Sequence, residues 1–232
     1  MNKSFIKTYA QAFLDLVFPN ICLHCKSPLS GNEQQVCSLC LSKLPFTNNW
    51  QHQHNVVSEV FWGRVRVEGA CSMVFFEKDS IFQGLLHHLK YKDNPQVGVV
   101  LGRYFANKLA GSKFANADVV VPVPLHKYRF RKRGYNQSER IAVGIHEVLN
   151  IPVLPDNMKR IKATKTQTSK SRFERWQNVE GVFKIDDPEV FVDKHVLVVD
   201  DVVTTGATSE SLMAEILKIP GTRVSFVALA SA

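Results

Sequence analysis

Apolar residues recur along this chain in two rhythms. Continuous apolar runs at 118–123 (DVVVPV), 195–199 (HVLVV) and 223–229 read as strands buried on both faces. Between them, Ile81, Leu85, Leu86 and Leu89 repeat at helical spacing and predict a helix over 80–90. Further helices are predicted over 97–110, 138–149 and 209–218, with one or two strands over 64–76. Strands alternating with helices of this length imply βαβ units. The expected fold class is α/β, a mostly parallel sheet flanked by helices.

The pattern changes before position 58. Phe5, Tyr9, Phe13 and Val17 recur at helical spacing, joined by Ile6 and Leu14, and predict an amphipathic helix over 1–19. Lys7, Gln11 and Asp15 interrupt its apolar run and no small-residue cleavage site follows, which argues against a signal peptide. Residues 20–46 are short, turn-rich and cysteine-bearing, and the polar stretch 47–57 reads as a linker into a main domain at 58–232. The 232 residues leave room for one domain plus such an appendage. No apolar segment approaches the roughly 20 residues of a membrane span, so a cytoplasmic protein is expected.

Charge sharpens this picture through its placement. The chain carries 29 Lys and Arg against 21 Asp and Glu, a net +8 that suits polyanionic partners. Lys127, Arg129, Arg131, Lys132 and Arg133 fall within seven residues, interleaved with Tyr128 and Phe130. Such a run can track a nucleic-acid backbone while its aromatics stack on bases. A second polar stretch holds seven Lys and Arg between Lys159 and Arg175, including Arg160, Lys165 and Arg172, against the single acid Glu174. A long connection of this kind between core strands reads as a lid or binding loop.

Two motifs carry definite chemistry. Cys22-x-x-Cys25 and Cys37-x-x-Cys40, with eleven residues between the pairs, can converge as four thiolates on a structural Zn²⁺ ion. A redox dithiol or an iron–sulfur cluster is the alternative use of the same residues. Cys71 stands apart in a strand pattern and reads as a small buried hydrophobe. The second motif is VLVVDDVVTTGAT at 196–208, where a core strand runs into Asp200 and Asp201, then Thr204, Thr205, Gly206, Ala207 and Thr208. A Thr/Gly loop opening a helix offers clustered N–H groups to one phosphate, and the paired carboxylates can accept hydrogen bonds from vicinal hydroxyls. A ribose 5-phosphate site is the expectation.

That segment resembles the phosphoribosyl pyrophosphate (PRPP) motif of type I phosphoribosyltransferases. The resemblance implies that Asp200 and Asp201 hold the ribose hydroxyls while 204–208 wrap the 5-phosphate. It also implies that Leu125, His126 and Lys127 form a pyrophosphate loop and that Mg²⁺ enters with PRPP. The cysteine pairs, HLKYKDN (88–94), PVPLHKYRFRKRGYNQSE (122–139), the polar stretch through 166–178 and VDDVVTTGAT (199–208), in that order, resemble the ComF competence-protein family. The resemblance covers nearly the whole chain. It implies a zinc-ribbon-like N-terminus on a type I phosphoribosyltransferase-like domain, with single-stranded DNA and competence or recombination proteins as partners in natural transformation. Two functional readings follow: a PRPP-binding adaptor for single strands on Lys127, Tyr128, Arg129, Arg131, Lys132 and Arg133, or an enzyme moving ribose 5-phosphate to an amine or nucleobase.

Overall fold

The structure, a computed structural model, describes residues 19–91, 94–161 and 182–232. The helix expected over 1–19 lies almost wholly outside the described residues, as do the candidate lid residues Lys165, Arg172 and Arg175. Short helices α1 (Ser38–Ser42) and α2 (Val56–Glu59) precede β1 (Gly69–Phe75), α3 (Ile81–Tyr91) and α4 (Gln96–Leu109). Next come β2 (Val119–Pro122), α5 (Lys127–Arg133), α6 (Gln137–Leu149), β3 (Met158–Arg160) and β4 (Phe183–Ile185). The chain closes with β5 (His195–Val203), α7 (Ala207–Ile216) and β6 (Arg223–Ser231).

Four strands form a sheet in the order β1-β6-β5-β2, and every pairing is parallel. The apolar runs explain it, because strand residues alternate between faces and both faces are buried. Leu197 and Val199 point to one layer, with Cys71, Leu229, Phe82, Leu89, Phe105 and Ile141. Val196 and Val198 point to the other, with Phe61, Phe191, Leu212 and Phe226. Helices α4 and α6 approach closely enough that a Cβ at Gly144 would sit 2.2 Å from the Val99 carbonyl oxygen. The antiparallel pair β3–β4 places Arg160 opposite Phe183, beside the sheet.

Three expectations need correction. Residues 47–57 are no linker: Asn49 and Trp50 are buried, and the Asn49 side chain bonds the Ser72 backbone N–H of β1 at 3.0 Å. Trp50 packs edge-on against Phe105, and truncating a buried aromatic of this kind to Ala costs about 3–5 kcal/mol. The run 127–133 is a helix, capped by His126 and ended by Gly134 at φ +76°. Strand β5 continues to Val203, so Asp200 and Asp201 stand on the strand itself and not in the loop after it. The cysteine segment also lacks a core of its own. Cys22, Val36, Cys37, Cys40 and Leu44 share one hydrophobic cluster with Trp50 and Phe105.

Candidate anion pocket and metal centre

A pocket of about 400 Å³ opens at the carboxyl ends of β2 and β5, where ligands sit in open parallel sheets. Asp200 forms its floor. One carboxylate oxygen accepts from Ser138 Oγ at 3.0 Å and from the Asp201 backbone N–H at 2.8 Å. Ser209 Oγ approaches the other oxygen at 3.4 Å. Asp200 is half-buried by surface exposure yet enclosed by protein atoms on the pocket floor. That enclosure, reinforced by the charge of Asp201, pushes its carboxyl up to about 7. The Lys90 ammonium meets Asp201 at 2.9 Å from the end of α3.

On one side of the acids lies the turn Thr204–Gly206 and the start of α7. Gly206 takes φ +67°, and a Cβ there would lie 2.5 Å from Val60 and 2.9 Å from Phe61. No side chain caps α7, so its first N–H groups are left for another acceptor, as in helix-terminal phosphate sites. Arg64 braces the turn from behind. It donates to the Thr205 carbonyl at 2.7 Å and pairs with Glu210.

On the other side stands a cationic wall. Arg129 and Arg133 reach the pocket from α5, Arg160 from β3, and Leu125 from the segment after β2. Burial, then the charge of Arg129, pulls the Arg160 guanidinium below its usual range, while the charge of Asp200 opposes this. Arginines crowded in this way are relieved by an anion.

The sequence-predicted residues thus divide. Asp200, Asp201, Thr204, Thr208, Leu125, Arg129, Arg133 and Arg160 converge on the pocket. Thr205, Gly206 and Ala207 shape its turn. His126 serves instead as the α5 cap, accepting from the Tyr128 N–H at 3.2 Å, and Lys127 opens that helix. Tyr128 and Phe130 are exposed at 71% and 47%, and no residue of α5 is buried. With Arg131 and Lys132 they form an outer face away from the pocket lining. Gln137, Ser138 and Arg64 were missed. The pattern N-Q-S at 136–138 reads as an ordinary helix start, and only the fold brings it beneath Asp200.

The second site is the cysteine cluster. The Sγ atoms of Cys22, Cys25, Cys37 and Cys40 all lie within 4.8 Å of one another. Hydrogen bonds from Ser27 pull the Cys25 thiol down to about 6, whereas burial and its neighbouring thiols push Cys40 up to about 12. Four sulfurs so placed ionise together only around a cation, and the set fits a closed tetrahedral ion such as zinc. No other cluster of metal-ligating side chains occurs among the described residues. Cys71 is fully buried on β1.

The fold and pocket therefore define a parallel α/β protein with an acid pair, an uncapped helix N-terminus and clustered arginines at its strand ends. Its sequence relatives are named as competence and DNA utilization proteins. The chain is 28% identical over 217 residues to Competence protein F of Haemophilus influenzae, covering 85% of this chain and 91% of that protein. It is 25% identical to the DNA utilization protein YhgH of Escherichia coli, covering 88% and 93%. To Competence protein ComFC of Bacillus subtilis it is 24% identical, covering 87% and 79%. The chain is a homologue of these proteins. No protein-family model matches it. Among solved structures it is similar to glutamine PRPP amidotransferase from B. subtilis, at TM-score 0.43 and 23% identity over 62% of this chain. It spans 30% of that amidotransferase's length. It is also similar to a purine phosphoribosyltransferase from Pyrococcus horikoshii, at TM-score 0.34 and 23% identity, covering 58% and 74%. No helix among the described residues is long and apolar enough to cross a membrane.

Proposed function

We propose that the pocket binds Mg²⁺-PRPP and that the outer face of α5 binds single-stranded DNA, in a cytoplasmic protein that handles DNA brought in by natural transformation. One observation carries the reading: an acid pair stands between an uncapped helix N-terminus and an arginine wall at the ends of parallel strands. The carboxylates of Asp200 and Asp201 accept from two ribose hydroxyls. The α7 N-terminus with Thr204 and Thr208 takes the 5-phosphate, and Arg129, Arg133 and Arg160 face the pyrophosphate. Magnesium would enter with the ligand and offset the charge of its diphosphate, and the four cysteines would hold a structural zinc ion.

The names of the relatives support a role in transformation, with competence or recombination proteins as partners. Strand affinity is expected to fall steeply with salt, because Lys127, Arg131 and Lys132 displace counterions while Tyr128 and Phe130 stack on bases. Anisotropy of a labelled oligothymidylate across a salt series tests this, and no binding at low salt would sink it. The arginine wall also favours a second reading, transfer of ribose 5-phosphate to an amine or nucleobase, since it would stabilise departing pyrophosphate. Pyrophosphate release against a panel of acceptors distinguishes the two.

A further inference from the structure

The pocket holds one polar group that the assignments above leave without work. Gln137, the first residue of α6, is 1% exposed and lines the pocket. Its Oε1 accepts from Arg133 Nη1 at 2.8 Å, which fixes the amide's orientation, since the reverse would set N–H against N–H. The Nε2 atom is consequently turned away from Arg133. It is buried and meets no hydrogen-bond partner among the described residues. A buried amide donor left unpaired is costly, and its burial calls for an acceptor that the protein itself does not supply.

The surroundings identify that acceptor. Gln137 adjoins Ser138, whose hydroxyl holds Asp200, and stands on the wall with Arg129 and Arg133. Its neighbour Ser138 bonds one oxygen of Asp200, while Ser209 of α7 approaches the other. We infer that Gln137 Nε2 is a specificity-determining donor to the diphosphate of a phosphoribosyl ligand, one that separates a C1-diphosphate from the plain sugar phosphate. The inference rests on the phosphoribosyl reading of the pocket and adds a residue to it. The donor is neutral, so it adds a directed hydrogen bond to an anionic oxygen without raising the charge already crowded by three arginines. Arg129 and Arg133 stand one turn apart on α5, and the Arg133–Gln137 hydrogen bond brings the first residue of α6 to the same wall.

The test compares Gln137→Met and Gln137→Glu with wild type by calorimetry against Mg²⁺-PRPP, Mg²⁺-pyrophosphate and ribose 5-phosphate. The Met variant is expected to bind PRPP and pyrophosphate about tenfold to a hundredfold more weakly, with ribose 5-phosphate within about twofold. The Glu variant keeps an acceptor for Arg133 and suits a helix N-terminus, yet is expected to lose the same two ligands. Recovery of PRPP binding in the Glu variant would mean that Gln137 merely holds Arg133, and would overturn the inference. So would a Met variant that binds PRPP as wild type does, or one that loses ribose 5-phosphate equally. If oligothymidylate binding fell in step with pyrophosphate, the donor would belong to a strand phosphate and the diphosphate assignment would be wrong. A wild type that binds none of the three small ligands would overturn the phosphoribosyl reading and this inference with it.

Discussion

The cysteine cluster and the acid-and-arginine pocket both bring like-charged groups close together, yet they resolve the crowding differently. Four sulfurs converge within 4.8 Å in a closed set, with three of the cysteines buried. Their natural complement is a resident cation such as zinc. The pocket lines one open space with carboxylates and arginines, and its acids are only half-satisfied by Ser138 and Lys90. Its complement is a ligand that comes and goes. A closed cluster contributes stability, whereas an open one holds unfavourable electrostatics in reserve for binding.

Removing the metal should break the comparison hardest. Because Cys22, Cys37 and Cys40 share a core with Trp50 and Phe105, chelation or Cys40→Ser is expected to lower Tm by about 10 °C or more. Mass spectrometry of native protein should show a bound metal before chelation, and an unchanged Tm after chelation would refute the shared core.

Next in size is Gly206→Ala. Left-handed backbone and the approach of Val60 together are expected to cost about 2 kcal/mol or more and to weaken PRPP binding at least tenfold. Calorimetry and denaturant unfolding on the same variant check both effects.

The open site should behave oppositely to the closed one when a ligating group is removed. Between the ordinary carboxylate range and about 7, the folded chain holds a proton on Asp200 that the unfolded chain has released. Stability is therefore lost as pH rises through that window, and Asp200→Asn escapes the loss. The variant is expected to gain on the order of 5 °C in Tm at pH 8 and nothing at pH 4, while losing PRPP. A destabilised variant at pH 8 would count against the pocket as a site held ready for a ligand.

The smallest effect concerns the outer face of α5. Arg131→Ala with Lys132→Ala should weaken oligothymidylate binding several-fold and make its salt dependence shallower by about 1.4 log units per log unit. PRPP affinity should be unchanged, since neither residue lines the pocket.

Legibility in the sequence followed the range of the interactions. The cysteine pairs and the VVDDVVTTGAT segment were readable because each sets its geometry within about twenty residues of chain. The alternating strands and helices were readable too, since both faces of the sheet are buried. Trp50 was read as part of a linker because its burial depends on Phe105, and its polar neighbours conceal that contact. The run 127–133 was read as a basic stretch and not as a helix because its helix buries nothing, so no apolar stripe marks it. Arg64 and Gln137 acquire their roles from partners that only the tertiary fold supplies, Thr205 for the first and the pocket itself for the second.

The most direct test is calorimetry of Mg²⁺-PRPP with zinc-loaded wild type and with an Asp200→Ala/Asp201→Ala double variant. The account predicts one binding site per chain in wild type and no measurable binding in a folded double variant. Undiminished binding in the double variant would place the ligand elsewhere. No binding by the wild type would leave the acid pair and the arginine wall without the ligand assigned to them here.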